Sequence, residues 1–148
     1  MGRFSVSNRT TNAPTSTLPG ASLYAIANVN LRVVEIGVFN TSTTACAVSV
    51  NRLDSAGTQG SGLTEGYIGD PASGVSILGT AFQSHTSTPP TLGEELIRAS
   101  LGAAIGAGMV WTFDTVPILI PAGTANGIGL ICPTGTGQIL DFYFVWDE

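Results

Sequence analysis

The chain has no lysine, and its five arginines, Arg3, Arg9, Arg32, Arg52 and Arg98, stand against ten acidic residues for a formal net charge of −5. Cations so few and so scattered exclude a nucleic-acid backbone as partner, because that binding depends on clustered Lys and Arg displacing counterions. Charge of either sign is scarce: Asp, Glu, Lys and Arg make up 10% of the 148 residues, against about 25% in ordinary soluble domains. There is one histidine, His85. A multi-histidine metal centre is therefore excluded, and any Ser-His-Asp triad is restricted to a residue beside prolines in a stretch read as an exposed loop. No serine sits in a GxSxG elbow, since RASLG around Ser100 lacks the first glycine. Two cysteines, Cys46 and Cys132, have no CxxC partner and lie in the apolar runs ACAVSV and IGLIC, so they read as small core residues rather than as zinc ligands or a redox pair.

Long apolar runs are missing too. Ala99 to Phe113 is uncharged apart from its approaches but is broken by Gly102, Gly106 and Gly108, too short to cross ~30 Å of hydrocarbon. MGRFSVSNRTTN has no apolar core of a secretory signal, and Val6 stands where myristoylation needs Ser or Thr. No membrane and no nucleic acid are expected as partners.

What is present is hydroxyl and apolar surface. Ser and Thr supply 31 residues, and 43% of the chain is hydrophobic, which gives enough apolar area to offset chain entropy and argues against disorder. The length suits one domain. Short β-branched and aromatic runs recur, each closed by Gly, Pro, Asn or Thr, with almost no helical spacing. Strands are expected near residues 3–7, 21–28, 31–40, 45–53, 80–84, 96–101, 109–115, 117–120, 127–132 and 138–146. Residues 1–20 read as an N-terminal arm with the first strand, and 21–148 as a single β-sandwich domain. Within 31–40, Val34, Ile36 and Val38 are expected inward, with Val33, Glu35 and Gly37 on the other face. In the last strand Leu140, Phe142, Phe144 and Trp146 share one side and Ile139, Asp141, Tyr143 and Val145 the other. A strand apolar on both sides belongs in an interior or at a subunit contact.

Loops are expected at Asn8–Gly20, a mobile or draped arm, at Asp54–Pro71, and at His85–Gly93 with its Pro-Pro pair. LGEELIRASLGAAIGA, from Leu92 to Ala107, is ambiguous and allows one or two helical turns around Glu94 and Glu95.

The stretch PAGTANGIGLICPTGTG, Pro121 to Gly137, raises the question of a phosphate loop. Such a loop needs a Lys and a following helix, whereas QILDFYFVW follows, so its glycines are read as turn residues around one strand. Glu94 with Glu95, and Asp147 with Glu148, are sequence neighbours rather than pairs facing across a cleft. Asp54 to Glu65 lacks the ligands of a calcium loop. Sequons at Asn8 and Asn40 are expected by chance in so Thr-rich a chain. No cofactor, no metal and no enzyme activity follow. Burial is expected for Trp111 and Trp146, and Tyr24 and Tyr67 read as the exposed aromatic contacts.

LRVVEIGVFNTSTTACAVSV, WTFDTVPILIPAGTANGIGL and the terminal QILDFYFVWDE together resemble the small jelly-roll structural proteins of tailed bacteriophages, including the decoration or cement proteins of capsids. The fold class expected is all-β, an antiparallel two-sheet sandwich of jelly-roll type with at most one short helix. The resemblance implies a virion structural protein that binds the major capsid protein lattice as a homo-oligomer, a trimer, on the capsid exterior after synthesis in the host cytoplasm. It places partner contacts on the arm, with Arg3, Phe4 and Arg9, and a trimer contact on Tyr143 and Val145; Tyr67 joins them as an exposed aromatic. The alternative is a carbohydrate- or receptor-binding module of a phage fibre or tail, which calls for an exposed loop cluster such as Tyr67 with Asp70 or His85 with Gln83.

Overall fold

The computed structural model describes residues 1–69 and 71–148. Among the described residues eleven strands run in chain order: β1 Arg3–Arg9, β2 Ala21–Tyr24, β3 Leu31–Asn40, β4 Cys46–Leu53, β5 Gly66–Tyr67, β6 Thr80–Gln83, β7 Leu92–Leu101, β8 Gly108–Thr112, β9 Ile118–Ile120, β10 Gly127–Ile131 and β11 Leu140–Asp147. They form two antiparallel sheets. The first has the order β5-β1-β11-β3-β8, with β9 continuing β8 along β3; the second is β6-β2-β10-β4-β7.

The pairing follows one rule. β1 pairs with β11, β2 with β10, β3 with β8 and β9, and β4 with β7. A long hairpin paired from its ends to its middle, then folded over on itself, gives this arrangement, the jelly roll. The segment between β4 and β7 is an insertion. It lays β5 beside β1 and β6 beside β2, so one side of the sandwich is closed by the same excursion.

Between the sheets lie Phe4, Val6, Leu23, Leu31, Ile36, Val48, Val50, Ile128, Leu130, Phe144 and Trp146, with their neighbours. Burying a large apolar side chain contributes ~1.5–3 kcal/mol, so β11, which buries Leu140, Phe142, Phe144 and Trp146 to 2% exposure or less, anchors the first sheet.

The expected faces of β3 need correction. Val145 sits opposite Glu35, but Trp146 sits opposite Val33, so Val34 is an extra residue in β3. The bulge flips the alternation. Val33 is buried and Val34 half-buried, while Ile36 and Val38 face the core as expected. Leu92 to Ala107 also differs: Glu94 and Glu95 lie within strand β7, not in helical turns, and the one helical element among the described residues is a 3-10 turn at Pro71–Ser73. Pairing with β4 along nearly its whole length outweighs local helix preference there. The Pro121–Gly137 stretch does hold one strand, β10, between two turns. Gly123 and Gly135 have φ of 135° and 76°, values that side chains with a Cβ avoid.

The expected arm is stitched to its own chain. β1 lies between β5 and β11. After it the Thr10 amide donates to the Leu140 carbonyl at 2.8 Å, the Gly20 amide to Leu130 at 2.8 Å, and the Cys132 amide returns to Thr15 at 3.0 Å. Thr10, Pro14 and Pro19 are buried. Both thiols, Cys46 and Cys132, are buried and free.

Candidate functional site

The register of the first sheet fixes which residues share its outer face, and they form four rows across β1, β11, β3 and the β8/β9 edge. From one end these are Arg9, Asp141, Phe39 and Gly108, then Ser7, Tyr143, Gly37 and Val110. Next come Ser5, Val145, Glu35 and Thr112, and last Arg3, Asp147, Arg32 and Leu119, beyond the bulge. The charges are concentrated in the end rows. The middle is hydroxyl and apolar except for Glu35.

Each end is held by a bidentate ion pair. Arg3 donates through Nε to Asp147 Oδ1 at 2.7 Å and through Nη2 to Oδ2 at 2.9 Å, and Arg9 does the same to Asp141 at 2.7 and 2.9 Å. Hydrogen bonding to the guanidinium holds both carboxyls below their ordinary range and raises both arginines. Pairs so open to water stabilise little; their effect is to leave no carboxylate at the ends without a cation.

In the centre the Tyr143 ring lies flat across Gly37. A Cβ at position 37 would collide with that ring, so glycine is required by a close approach of side chain to backbone. The ring stacks near Phe39 with centroids 6.4 Å apart and 27° between planes. Its hydroxyl donates to Glu35 Oε1 at 2.7 Å. Burial, then the hydrogen bond and charge of Glu35, push the Tyr143 phenol up to about 12, so it stays protonated and keeps donating. Beside this stack a shallow groove of about 350 Å³ is lined by Ser7, Asn8, Phe39, Asp141, Phe142 and Tyr143.

Four of the six expected partner-contact residues, Arg3, Arg9, Tyr143 and Val145, thus meet on one face. Phe4 does not. It is fully buried between Tyr67 at 5.1 Å and Trp146 at 6.1 Å, a core residue because it follows Arg3 by one position in a strand. Tyr67, on β5 opposite Phe4, is half-buried at the sheet edge. Phe39 and Gly37 were not singled out from the sequence, although their alternation with Glu35 was the available signal.

The outer face of the second sheet is roofed instead over β2 and β10, while Glu95, Arg98 and Ser100 on β7 stay exposed. Tyr24, expected exposed, is 1% exposed, and its hydroxyl donates to the Ser55 carbonyl at 3.1 Å. The strip 54–62 is tied to 84–91 by Thr58 to Thr88 at 2.8 Å and Thr86 to Thr58 at 2.9 Å, and Pro19 packs over Gly129. His85, also expected exposed, is 2% exposed under this roof. Its Nε2 lies 2.8 Å from Ser22 Oγ, and Nδ1 has no partner among the described residues. Desolvation pulls the imidazole down to about 4, so it is neutral. Ser22 is itself fully buried, so this pair is out of reach of a substrate. Of the clusters expected for a glycan site, His85 with Gln83 is therefore closed by burial, and Asp70 lies outside the described residues. Trp146 is fully buried and Trp111 half-buried. Among the described residues no three His, Cys, Asp or Glu side chains converge where a metal ion would need them.

No family model, no curated protein and no solved structure matches the chain.

Proposed function

We propose that this protein is a structural subunit of a shell: a jelly-roll decoration or cement protein that binds a capsid exterior as a homo-oligomer and stabilises it by mass action. The observation that supports this reading is the contrast between the two outer faces. One is covered over β2 and β10 by the chain's own loops. The other is bare, with an aromatic and hydroxyl centre and both end carboxylates, Asp141 and Asp147, already paired, so docking it on another protein strands few carboxylates. Tyr143 and Phe39 are the anchors of that contact, since aromatic side chains pinned in place lose little freedom on binding. An oligomer presents the face several times, and linked contacts add avidity without any new chemistry.

The test is co-sedimentation of the purified protein with tailed-phage capsids stripped of their decoration proteins. Binding that is lost in a Tyr143→Ser/Val145→Ser variant of unchanged fold is expected. Absence of binding across a panel of such capsids, together with retention on a glycan array, would overturn this reading in favour of a receptor-binding module.

A further inference from the structure

A strand at the end of a sheet offers unpaired backbone groups to any passing chain, and folds guard such edges with charges, bulges, shortness or a cover. Four of the five edge strands here are guarded. β5 is two residues long. β6 is covered by residues 61–63, where the Leu63 amide donates to the Ala81 carbonyl and the Gln83 amide to Ser61, both at 2.9 Å. β7 carries Glu94, Glu95 and Arg98 and has two register shifts against β4. β9 is three residues long, and its Leu119 carbonyl accepts from Arg52 Nη1 at 2.7 Å. β8, Gly108–Thr112, is the exception: it has no charge, no proline and no bulge, and among the described residues it pairs with β3 alone.

The direction of its backbone groups follows from its two flanks. The Phe113 amide donates to the Val34 carbonyl at 2.7 Å, and the Ala107 carbonyl accepts from the Asn40 amide at 2.7 Å, so residues 107 and 113 turn to β3. These directions alternate along an antiparallel strand. Met109 and Trp111 therefore turn to β3 as well, and the amides and carbonyls of Gly108, Val110 and Thr112 point away from it, at residues that are all exposed. Strongly exposed apolar side chains stand just beyond both ends of the strand, Ile105 at 74% and Val116 at 79%.

We infer that β8 pairs antiparallel with β8 of a second copy about a two-fold axis at Val110, joining the first sheets of the two copies into one. This register overlaps the strand along its whole length. Gly108 then lies opposite Thr112 of the second copy and Val110 opposite its own counterpart, so every outward amide and carbonyl meets one pointing back. Met109 falls opposite Trp111 of the second copy, a sulfur–aromatic pairing, and the turn at Ile105 runs alongside the segment that holds Val116. The occupant is a second copy because the patch is complementary to itself, as a two-fold contact requires, in a chain whose net charge of −5 sets most other surfaces against their own image. Like charges placed opposite each other destabilise a sheet, and none are here. Asp114 comes opposite Gly106, and the row that runs from Glu35 through Thr112 continues into Gly108 and Phe39 of the second copy. The joined sheet sets the two Tyr143–Phe39 centres on one continuous face, which gives the avidity invoked above. The inference rests on the homo-oligomeric part of the proposed function, and it supplies a two-fold pair on β8 where the resemblance implies a trimer on the last strand. An interface of this extent is at the small end of specific contacts, below about 1,200 Å² in total, so the pair is expected to form in a concentration-dependent way.

The experiment follows the mass of the full chain by multi-angle light scattering across micromolar concentrations, with circular dichroism confirming the fold. The wild type is expected to rise from the 15.1 kDa of one chain towards twice that mass. Val110→Lys and Val110→Glu, at an exposed site, each set like charges against each other at the axis and are expected to stay monomeric. Mixed in equal amounts they place Lys opposite Glu and are expected to pair again. If either variant melts early, Val110→Cys reads the same register: directly opposed residues of a hydrogen-bonded pair lie ~5.5 Å apart, within disulfide reach, so oxidised glutathione should link two copies at 110 but not in Thr112→Cys. A wild type that is monomeric at every concentration, single-charge variants that assemble like the wild type, a mixture that stays monomeric, or linkage at 112 rather than 110 would each overturn the pairing. Co-sedimentation with stripped capsids separates this from the proposed function. A monomeric wild type that still binds shells overturns the pairing alone, and a chain that pairs through β8 yet binds no shell overturns the shell reading alone.

Discussion

Replacing Gly37 with Ala should destabilise the protein, although the same change at an ordinary strand position would do the opposite. A glycine in a strand interior costs roughly 0.5–1 kcal/mol relative to Ala, so Ala begins with that advantage. The added Cβ, however, meets the Tyr143 ring, whose atoms Cε1, Cζ and Cδ1 are its three nearest neighbours. The ring must swing away. In doing so it gives up the 2.7 Å bond from its hydroxyl to Glu35 and the 6.4 Å stack with Phe39. A hydrogen bond to a charged group contributes ~1.5–3 kcal/mol, the lower end applying to this half-buried site, and an aromatic pair ~0.5–1.5 kcal/mol. The net loss is about 1–3 kcal/mol, which for a chain of this size lowers Tm by roughly 3–10 °C. Thermal unfolding followed by circular dichroism measures it. The decisive comparison is the Tyr143→Ala background, where the ring atoms nearest a Cβ at 37 are gone and Gly37→Ala should raise Tm instead. A drop of equal size in both backgrounds would refute the account, because the penalty would then not come from the ring.

Burial of neutral His85 predicts acid sensitivity above the range where carboxylates titrate. Its folded value is about 4 and its ordinary value 6.5, so the unfolded chain takes up this proton first. Stability should fall by up to about 3 kcal/mol as pH drops from 6.5 to 4, then level off, and His85→Gln should lack that slope in urea titrations across pH. The depressed carboxyls of Asp141 and Asp147 act in the other window: their contribution is present above the ordinary Asp range and is lost on acidification through it. Their arginine partners being exposed, they should yield little, and Arg9→Gln should change the urea midpoint at neutral pH by less than the experimental spread between preparations. Glu148 accepts from the Leu78 amide at 2.6 Å, the Gly79 amide at 2.7 Å and Trp146 Nε1 at 3.2 Å. Glu148→Ala should therefore speed hydrogen exchange at Leu78 and Gly79 ahead of any change at β10 amides, and uniform exchange across both would count against a local role. Asn40, buried at 1%, donates to the Thr44 and Gly102 carbonyls at 2.7 and 3.0 Å; Asn40→Ala should cost ~1–3 kcal/mol by taking the donor from Gly102 and leaving Thr44 only the 3.3 Å bond from Ser42, read from the urea midpoint.

The strands were legible because their signal is local. Val, Ile and Phe runs closed by Gly and Pro mark β3, β4, β10 and β11, and the alternation in β11 alone separates its core face from Asp141, Tyr143, Val145 and Asp147. What depends on distant partners was not. The bulge at Val34 appears only when β3 is set against β11, and a single extra residue exchanged the roles of Val33 and Val34. Glu94 and Glu95 read as helix formers until β4 is laid beside them. His85 reads as exposed because polar and proline-rich surroundings describe a loop's composition, whereas its burial, like that of Tyr24 in the strand expected at 21–28, depends on what lies against it. The four rows of the outer face were half legible: Tyr143 and Val145 follow from alternation, but the ring over Gly37 requires two strands 106 positions apart in sequence to be in register.

The roof over the second sheet explains why the first is left open. The 38 residues between β4 and β7 are enough chain to close one side of both sheets and to cover the face that holds Tyr24, Leu53 and His85, none of which belongs to the main core between the sheets. The buried serines and asparagine of that face, Ser22, Ser49 and Asn51, need such a cover only if packing is to be gained there; they would be content in water. The chain has instead left uncovered the face where exposure is costlier, with Phe39, Tyr143 and Val145 in its middle rows, and an apolar edge at β8. Loop length was available for the opposite choice. The shell contact proposed for this protein would cover the aromatic face that the insertion leaves bare, and would bury Tyr143 and Phe39 there.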